Sequence, residues 1–338
     1  MGKVVHVGFC GAGGVVKNIH VPNLEQRKDR YTVTGFFDVA TEKARELAGK
    51  KYRVYDCYAD LLEDPKVDLV VIATKPLSTH YSAARQALES GKNVLLDKPM
   101  AATTAECDEL LDVARRTHRL LTVHHNRRLN LDFLALQDVL SRGRLGEPKL
   151  IINSICNEGY QGGDFEDMGV HLVDQALLLN RSRLLEVSAL LSNPAGGTRD
   201  GGCGEVTLRF AQLPLVRVSM IPRSREFLLN GTPPLERFYA FGSTGTFVQR
   251  IIEDPRDLMN ATQNFDRWHP DYVVPDYLQI TQKDFYDYLY ESMDQGKPLL
   301  VKPESARNAI RVLELMVESA RTNRTVAATG MLDVGEQC

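Results

Sequence analysis

The chain has 338 residues, more than one ordinary hydrophobic core accommodates, so at least two domains are expected. Its composition, 43% hydrophobic and 25% charged, is that of a globular protein. A net charge of −3 gives no electrostatic ground for binding nucleic acid or an anionic membrane, and no apolar run reaches the roughly 18 residues of a bilayer span.

Met1-Gly2-Lys3 passes at once into Val4-Val5-His6-Val7, which reads as a first strand with no cleavable signal. Short, β-branched-rich runs then recur at Val4–Gly8, Thr32–Phe37, Leu69–Ala73, Asn93–Leu96 and Leu120–Val123, as strands buried on both faces do. Between them Gly14–Arg27, Thr41–Ala48, His80–Ser90 and Thr103–Thr117 carry apolar residues at helical spacing. Gly91 is placed to close one helix in a left-handed conformation, and Thr104 to cap the next. Strand–helix alternation of this kind predicts a parallel, doubly wound Rossmann sheet over residues 1–125.

From residue 126 the rhythm changes. Strand-like runs follow one another at Lys149–Cys156, Leu185–Leu191, Glu205–Phe210, Val216–Met220, Glu226–Leu229, Phe238–Phe241 and Thr246–Arg250. Helical segments are expected at Gly169–Leu179, Lys283–Asp294 and Ser305–Arg321. Residues 126–338 are thus expected to form an α+β substrate-binding and oligomerisation domain. Its sheet is predicted to be open and mostly antiparallel with helices on one face, and the closing helix 305–321 can pack back on the first domain. Residues 253–278 show no period and read as a long loop, with Asn264, Trp268, His269 and Tyr272 available to cover a cleft or meet a neighbouring subunit.

The first strand runs into Gly8-Phe9-Cys10-Gly11-Ala12-Gly13-Gly14-Val15-Val16. A tight glycine turn between strand and helix brings backbone N–H groups to a pyrophosphate at the positive helix end. Gly11, Gly13, Gly14 and Val15 are therefore candidate cofactor contacts, although the third fingerprint position holds Val16 where glycine or alanine is usual. The second strand ends in Asp38, where a carboxylate accepts hydrogen bonds from the adenosine ribose and repels a 2′-phosphate. That favours NAD over NADP; a plain helix cap is the compatible alternative for Asp38. Two further strands end in Ala73-Thr74-Lys75-Pro76 and in Asp97-Lys98-Pro99, at the sheet edge where ligands bind in open α/β folds. Lys98 is thereby expected beside the nicotinamide, with Pro99 fixing the backbone that aims it. Asp167 and His171 lie one helical turn apart and share a face, so together they can hold one substrate hydroxyl, with His171 suited to take its proton. The plainer alternatives are an N-cap for Asp167 and a packed polar side chain for His171. Asp174, one turn on, can orient His171 or bind substrate.

The six cysteines (Cys10, Cys57, Cys107, Cys156, Cys203 and Cys338) form no CxxC pair or zinc-type cluster. No metal and a reducing, cytoplasmic setting are expected.

Taken in order, Ile72-Ala73-Thr74 with Pro76 and His80, Gly91-Lys92-Asn93-Val94-Leu95, Asp97-Lys98-Pro99, Asn126-Arg127-Arg128, Gly162-Gly163 and Asp167-Met168-Gly169-Val170-His171-Leu172-Val173-Asp174 resemble the Gfo/Idh/MocA family (glucose–fructose oxidoreductase, inositol dehydrogenase, rhizopine catabolism). Lys302-Pro303 through Ser319 extends the resemblance to its closing helix. The resemblance implies an NAD(P)-dependent oxidoreductase with catalytic Lys98, partnered by Asp167 and His171. It also implies cofactor contacts from Thr74, Lys75, Pro76, His80, Asp97, Lys98 and Asn126, and substrate contacts from Lys98, Arg127, Asp167, His171 and Asp174. The expected substrate is a sugar, inositol or related polyol, and the expected assembly a homodimer or homotetramer through the C-terminal sheet. An NAD-dependent glycosidase working by transient oxidation and a non-catalytic dinucleotide sensor are the competing readings.

Overall fold

The computed structural model describes residues 2–158, 168–192, 204–223, 236–251, 258–264, 271–272 and 283–334. The chain divides into two compact units, the first comprising residues 1–125, 283–310 and 332–338, the second residues 126–282 and 311–331.

In the first unit the strands are β1 (Val5–Cys10), β2 (Tyr31–Phe37), β3 (Arg53–Val54), β4 (Leu69–Ile72), β5 (Asn93–Leu96) and β6 (Leu121–Val123). They form one sheet in the order β3-β2-β1-β4-β5-β6, every pair parallel. All four residues of β4 are fully buried, as are Val94, Leu95 and Leu96, which is what a sheet covered on both faces requires of its central strands. The chain reverses its winding direction between β1 and β4, so a crevice opens outside their carboxyl ends.

The connecting helices are α1 (Val21–Glu25), α2 (Thr41–Ala48), α3 (Tyr58–Glu63), α4 (Thr79–Glu89) and α5 (Thr104–Thr117). Ahead of α1, Val16–His20 forms a wide π-turn in which Val21 N–H reaches Val16 O. Val16 is fully buried where the dinucleotide fingerprint carries a small residue, and a wider turn gives its side chain room. Gly91 follows α4 at φ +78, in the left-handed conformation expected of it. The cap of α5 is Thr103 instead of Thr104: the Thr103 hydroxyl accepts from Glu106 N at 3.2 Å while the Glu106 carboxylate takes Thr103 N. A capping box needs its carboxylate three residues after the cap, and only Thr103 has one there.

Residues 283–310 and 332–338, read from sequence as part of the second domain, cluster with the first unit. The reason is visible in α8 (Phe285–Gln295). Its Tyr286 is buried, with its carbonyl accepting from Tyr31 Oη at 2.8 Å, and Arg27 grips Asp287 through two 3.0 Å contacts. Asp284 caps α8 by accepting from Tyr286 N and Asp287 N. The last helix, α9 (Pro303–Thr322), contributes its residues up to Ile310 to the first unit and those from Arg311 to the second.

The second unit holds β7 (Pro148–Glu158), β8 (Leu184–Leu191), β9 (Gly204–Phe210), β10 (Leu215–Arg223), β11 (Glu236–Gly242), β12 (Gly245–Ile251), β13 (Leu258–Asn264), β14 (Asp271–Tyr272) and β15 (Val326–Ala327). They make a nine-stranded sheet in the order β14-β13-β12-β11-β7-β10-β9-β8-β15, antiparallel except where β7 and β10 run parallel. The helices α6 (Leu131–Ser141) and α7 (Val170–Leu179) belong to this unit. Phe133, Leu136 and Val139 of α6 form a core with Ile151, Phe238, Ala240 and Phe247 of the sheet. Residues 253–278 are more than a loop, since β13 pairs antiparallel with β12 throughout its length and β14 pairs with β13. The strand expected at 226–229 lies outside the described residues. No helix among the described residues is long and apolar enough to cross a membrane.

Candidate active site

The chain leaves β1 through Gly11, whose N–H donates to Phe37 O at 2.8 Å. Gly11 has φ +105, and a Cβ there would lie 2.3 Å from Ala73 O, so only glycine lets this loop pass so close to the end of β4. Beyond it the loop opens: a Cβ on Gly13 would meet nothing within 4 Å, and one on Gly14 only Asn18 Nδ2 at 3.9 Å. Val15 is half-buried beside them. The open space over Gly13 and Gly14 at a helix start fits a pyrophosphate. Cys10 beneath the loop is no nucleophile, because burial, and then the Asp38 charge, push its thiol up to about 12.

Asp38 ties this loop to the end of β2. Its Oδ2 accepts from Ala12 N and its Oδ1 from Ala40 N, both at 2.8 Å. A carboxylate offers about four lone-pair positions, so two remain to receive ribose hydroxyls. Asp38 thus does not cap α2, whose N-cap is Ala40, but ties the glycine loop to the turn after β2 and remains competent as ribose acceptor.

The ends of β4 and β5 are joined through His80. Its Nδ1 lies 2.8 Å from Pro99 O and its Nε2 3.1 Å from Thr74 O, so one buried imidazole bridges the two prolyl turns. Thr74 Oγ1 also meets Thr79 Oγ1 at 2.7 Å, while Lys75 and Pro76 are exposed. Burial holds the His80 imidazole below the usual histidine range, with the Lys98 charge adding to the effect. A neutral ring donates only once, so one of the two carbonyl contacts is a weaker, purely polar one. Lys98 is half-buried between Asp97 and Pro99.

Asp97 lies in a buried cluster. His124 Nδ1 is 3.7 Å and His20 Nε2 3.9 Å from its Oδ1, and His20 Nδ1 is hydrogen-bonded to Tyr286 Oη. Burial alone would raise the Asp97 carboxyl, but the His124 contact and the charges of His20, His124 and Lys98 outweigh it and hold it at about 2. Burial, then the His124 charge, lower His20 to about 3, so its ring is neutral. Among the described residues His20, Asp97 and His124 are the one group with metal-type ligands gathered together. Their 3.7 and 3.9 Å spacings exceed the roughly 3.3 Å separating ligand atoms that sit about 2.0 Å from a tetrahedral zinc. The cluster is spaced as an electrostatic network.

In the second unit Asn126 is half-buried at the start of a 3₁₀ turn, Asn126–Leu129, with Arg127 half-buried and Arg128 buried. Arg128 holds Asp174 of α7 through Nε–Oδ2 at 2.8 Å and Nη2–Oδ1 at 2.5 Å. The next residue, Gln175, donates to Arg127 O at 2.8 Å and accepts from Asn153 Nδ2 at 3.3 Å. His171 is buried on α7, one turn before these residues. Asp167 and Gly162-Gly163 lie outside the described residues, as do Trp268 and His269.

The sequence pointed to the loop glycines, Asp38 and Lys98, and missed His20, His124 and Tyr286. His124 was within reach of the same rule that singled out Lys98, since it follows β6 at the same edge of the sheet. Nothing local marks His20 or Tyr286; they meet only because the fold brings them together across 266 positions of sequence.

A parallel sheet in 3-2-1-4-5-6 order, with a glycine loop at its switch point and an acid after the second strand, defines a Rossmann-type dinucleotide-binding domain, here followed by a large mixed sheet. Residues 5–125 match the Gfo/Idh/MocA family, described as an oxidoreductase family with an NAD-binding Rossmann fold. The match makes residues 5–125 an NAD-binding domain of that family's type, and the chain is an NAD(P)-dependent oxidoreductase. It is 26% identical to the scyllo-inositol 2-dehydrogenase (NADP(+)) IolW of Bacillus subtilis, over 95% of each chain. It is also 26% identical to the myo-inositol 2-dehydrogenase of Thermotoga maritima, over 95% of this chain and 98% of the relative. A solved NAD-binding protein from Listeria innocua matches with a TM-score of 0.80 at 27% identity, over 97% of this chain and 98% of its own.

Proposed function

We propose that the protein is a dehydrogenase, or the corresponding reductase, that moves a hydride between nicotinamide and a hydroxyl-bearing carbon of an inositol, sugar or related polyol. The observation that carries this reading is Lys98: a lysine held between two buried clamps at the C-terminal edge of β5, the edge where such sheets bind ligands. The inositol dehydrogenases among its relatives support the substrate class.

In this reading the Lys98 ammonium donates from Nζ to the substrate oxygen and stabilises the negative charge that develops there. His171 accepts the hydroxyl proton through an imidazole nitrogen, and Asp167 holds the same hydroxyl in place. The bound nicotinamide supplies the hydride acceptor. Arg127 is assigned a substrate contact. Asp174, with both oxygens on Arg128, is assigned the support of α7 beneath His171. Gly11, Gly13, Gly14 and Val15 line the pyrophosphate position, with Thr74, Lys75, Pro76, His80, Asp97 and Asn126 assigned to the rest of the cofactor. NAD is favoured because Asp38 presents a carboxylate to the ribose, although the NADP(+) named for IolW keeps both nucleotides in the test.

Strands β8, β9 and β10 of the second sheet carry the charge pairs Arg209–Glu186 and Arg217–Glu205 together with the exposed Leu190, and this surface is assigned to a homodimer or homotetramer interface. A monomer by light scattering would overturn that assignment. The thiols of Cys10, Cys57 and Cys107, none of them in a disulfide among the described residues, fit a reducing, cytoplasmic setting.

The deciding experiment follows NADH and NADPH absorbance while inositols, aldoses and ketoses are offered to the purified protein. Lys98→Ala and His171→Ala should each lower kcat by about two orders of magnitude with cofactor affinity nearly unchanged. Wild-type turnover in both variants overturns the mechanism. Glycoside hydrolysis without accumulation of NADH would identify the glycosidase instead, and tight NADH binding with no reaction the sensor.

A further inference from the structure

The geometry points to His20 and Tyr286 as positioning residues for Lys98, acting through the Asp97 carboxylate. The inference rests on Lys98 being the lysine that meets the substrate.

Asp97 and Lys98 are consecutive residues where β5 ends, and Asp97 N–H still donates to Ile72 O at 2.8 Å, continuing the ladder. Lys98 opens the bend at residues 98–100 directly after Asp97, so the anchoring of Asp97 fixes the backbone from which the Lys98 side chain departs. Three elements hold Asp97: the π-turn carrying His20, the end of β6 carrying His124, and α8. The His20 and His124 rings lie 4.6 Å apart, centroid to centroid. Consecutive residues of α8 back the two rings, Phe285 edge-on against His124 at 4.7 Å and Tyr286 on His20 Nδ1.

The tautomer of His20 follows from its partners. When Tyr286 donates its O–H to Nδ1, the ring proton sits on Nε2 and faces Asp97 Oδ1 at 3.9 Å, a favourable electrostatic contact longer than a hydrogen bond. In the opposite tautomer a bare Nε2 lone pair faces the carboxylate. The Asp97 charge disfavours that arrangement, and in the favoured one the Tyr286 hydroxyl, able to donate or accept, donates to Nδ1 and holds the ring with Nε2–H toward Asp97. The His20 side chain is fully buried, and among the described residues Nε2 has no closer hydrogen-bond partner that would set the ring otherwise. On the far side of Lys98, His80 Nδ1 holds Pro99 O at 2.8 Å, so the lysine stands between two imidazole-controlled points of the backbone. The charged and titratable groups around Asp97 are thus His20, His124, Tyr286, Lys98 and His80.

Freed from His20, the Asp97 carboxylate can turn toward the neighbouring ammonium and hold it protonated. The test uses the full-length protein with Tyr286→Phe, His20→Leu and, as the conservative rescue, His20→Gln, whose amide N–H can still face Asp97. The first readout is the rate at which trinitrobenzenesulfonate modifies Lys98, followed by peptide mass spectrometry across pH. This needs no substrate. Tyr286→Phe and His20→Leu should slow it by about threefold or more at fixed pH, because an ammonium paired with the freed carboxylate reacts less readily, and His20→Gln should recover it. NADH affinity, from fluorescence titration, should stay within about twofold of wild type, while kcat falls about tenfold, the penalty of a misdirected group. Should His20→Leu fail to fold, Tyr286→Phe, which removes one oxygen, carries the test alone. Wild-type Lys98 labelling and wild-type kcat in Tyr286→Phe overturn the inference. Wild-type turnover in Lys98→Ala overturns the reading beneath it, and because labelling requires no turnover the two failures are told apart.

Discussion

Arg128 and Asp174 face each other with both donors matched to both acceptors, Nε to Oδ2 at 2.8 Å and Nη2 to Oδ1 at 2.5 Å, and both side chains are almost wholly buried. Such a pair fixes geometry more than it adds stability, since its attraction is offset by the cost of removing two charges from water. Here it ties the 3₁₀ turn at residues 126–129 to α7, which carries His171.

Breaking one side of this pair takes the bidentate contact away from a buried charge. Asp174→Ala is therefore expected to lower unfolding stability by about 3–5 kcal/mol, measured by urea denaturation. The double variant Arg128→Met with Asp174→Leu should lose distinctly less, because both buried charges are removed together. A double variant as unstable as the single would mean that the pair contributes large net stability.

Asp38 is predicted to set cofactor preference. Asp38→Ser removes the carboxylate that meets Ala12 N and is assigned to the ribose, so NADH affinity should fall by about tenfold or more, the range of a lost charged hydrogen bond. NADPH should fall less or improve, as its 2′-phosphate no longer meets a negative charge. Because the variant also loosens the glycine loop, the ratio of the two dissociation constants is the informative readout. An unchanged ratio, from paired fluorescence titrations, would take Asp38 out of the ribose site.

The glycines of the loop separate fold from binding. Gly11→Ala forces a Cβ to 2.3 Å from a backbone carbonyl at φ +105, so it should cost stability as well as cofactor binding. Gly13→Ala places its methyl in open space and should leave the melting temperature close to wild type. The same methyl occupies the position assigned to the pyrophosphate, so NADH affinity should drop by about tenfold or more. Undiminished affinity in Gly13→Ala would mean that the phosphates lie elsewhere.

What the sequence made legible follows how local each signal is. The Rossmann strands could be read because buried parallel strands such as Leu69–Ile72 are continuous apolar runs. Helix α6 was missed although it packs the second core, because its apolar residues spread around most of its circumference and leave only a narrow polar strip at Gln137, Asp138 and Ser141 to give a period. Strand β13, with the sequence Leu-Met-Asn-Ala-Thr-Gln-Asn, has little intrinsic strand preference and is identified by its pairing with β12. In the candidate site, Lys98 and Asp38 were legible because strand ends in this topology are ligand positions. The surroundings of Lys98 were not, since His20, His124 and Tyr286 come from three distant segments.

The buried imidazoles predict how stability responds to acid. His20 is lowered to about 3 by burial and by His124, whereas an unfolded histidine titrates near 6.5. Between those values the unfolded chain takes a proton that the folded chain refuses, so the contribution of His20 is fully present above about pH 6.5 and is lost as pH falls toward 3. His80 acts in the same direction, its pKa also being lowered by burial. Asp97, held at about 2, adds a further loss below about pH 3.8, the usual aspartate value. The urea midpoint should accordingly fall between pH 7 and pH 4, with a slope of up to about 1.4 kcal/mol per pH unit for each proton involved. His20→Gln removes one of these protons and should flatten that slope, whatever it does to stability at neutral pH. An equally steep acid limb in wild type and His20→Gln would show that His20 is already protonated in the folded protein, and with it would go the neutral tautomer through which Tyr286 is linked to Asp97.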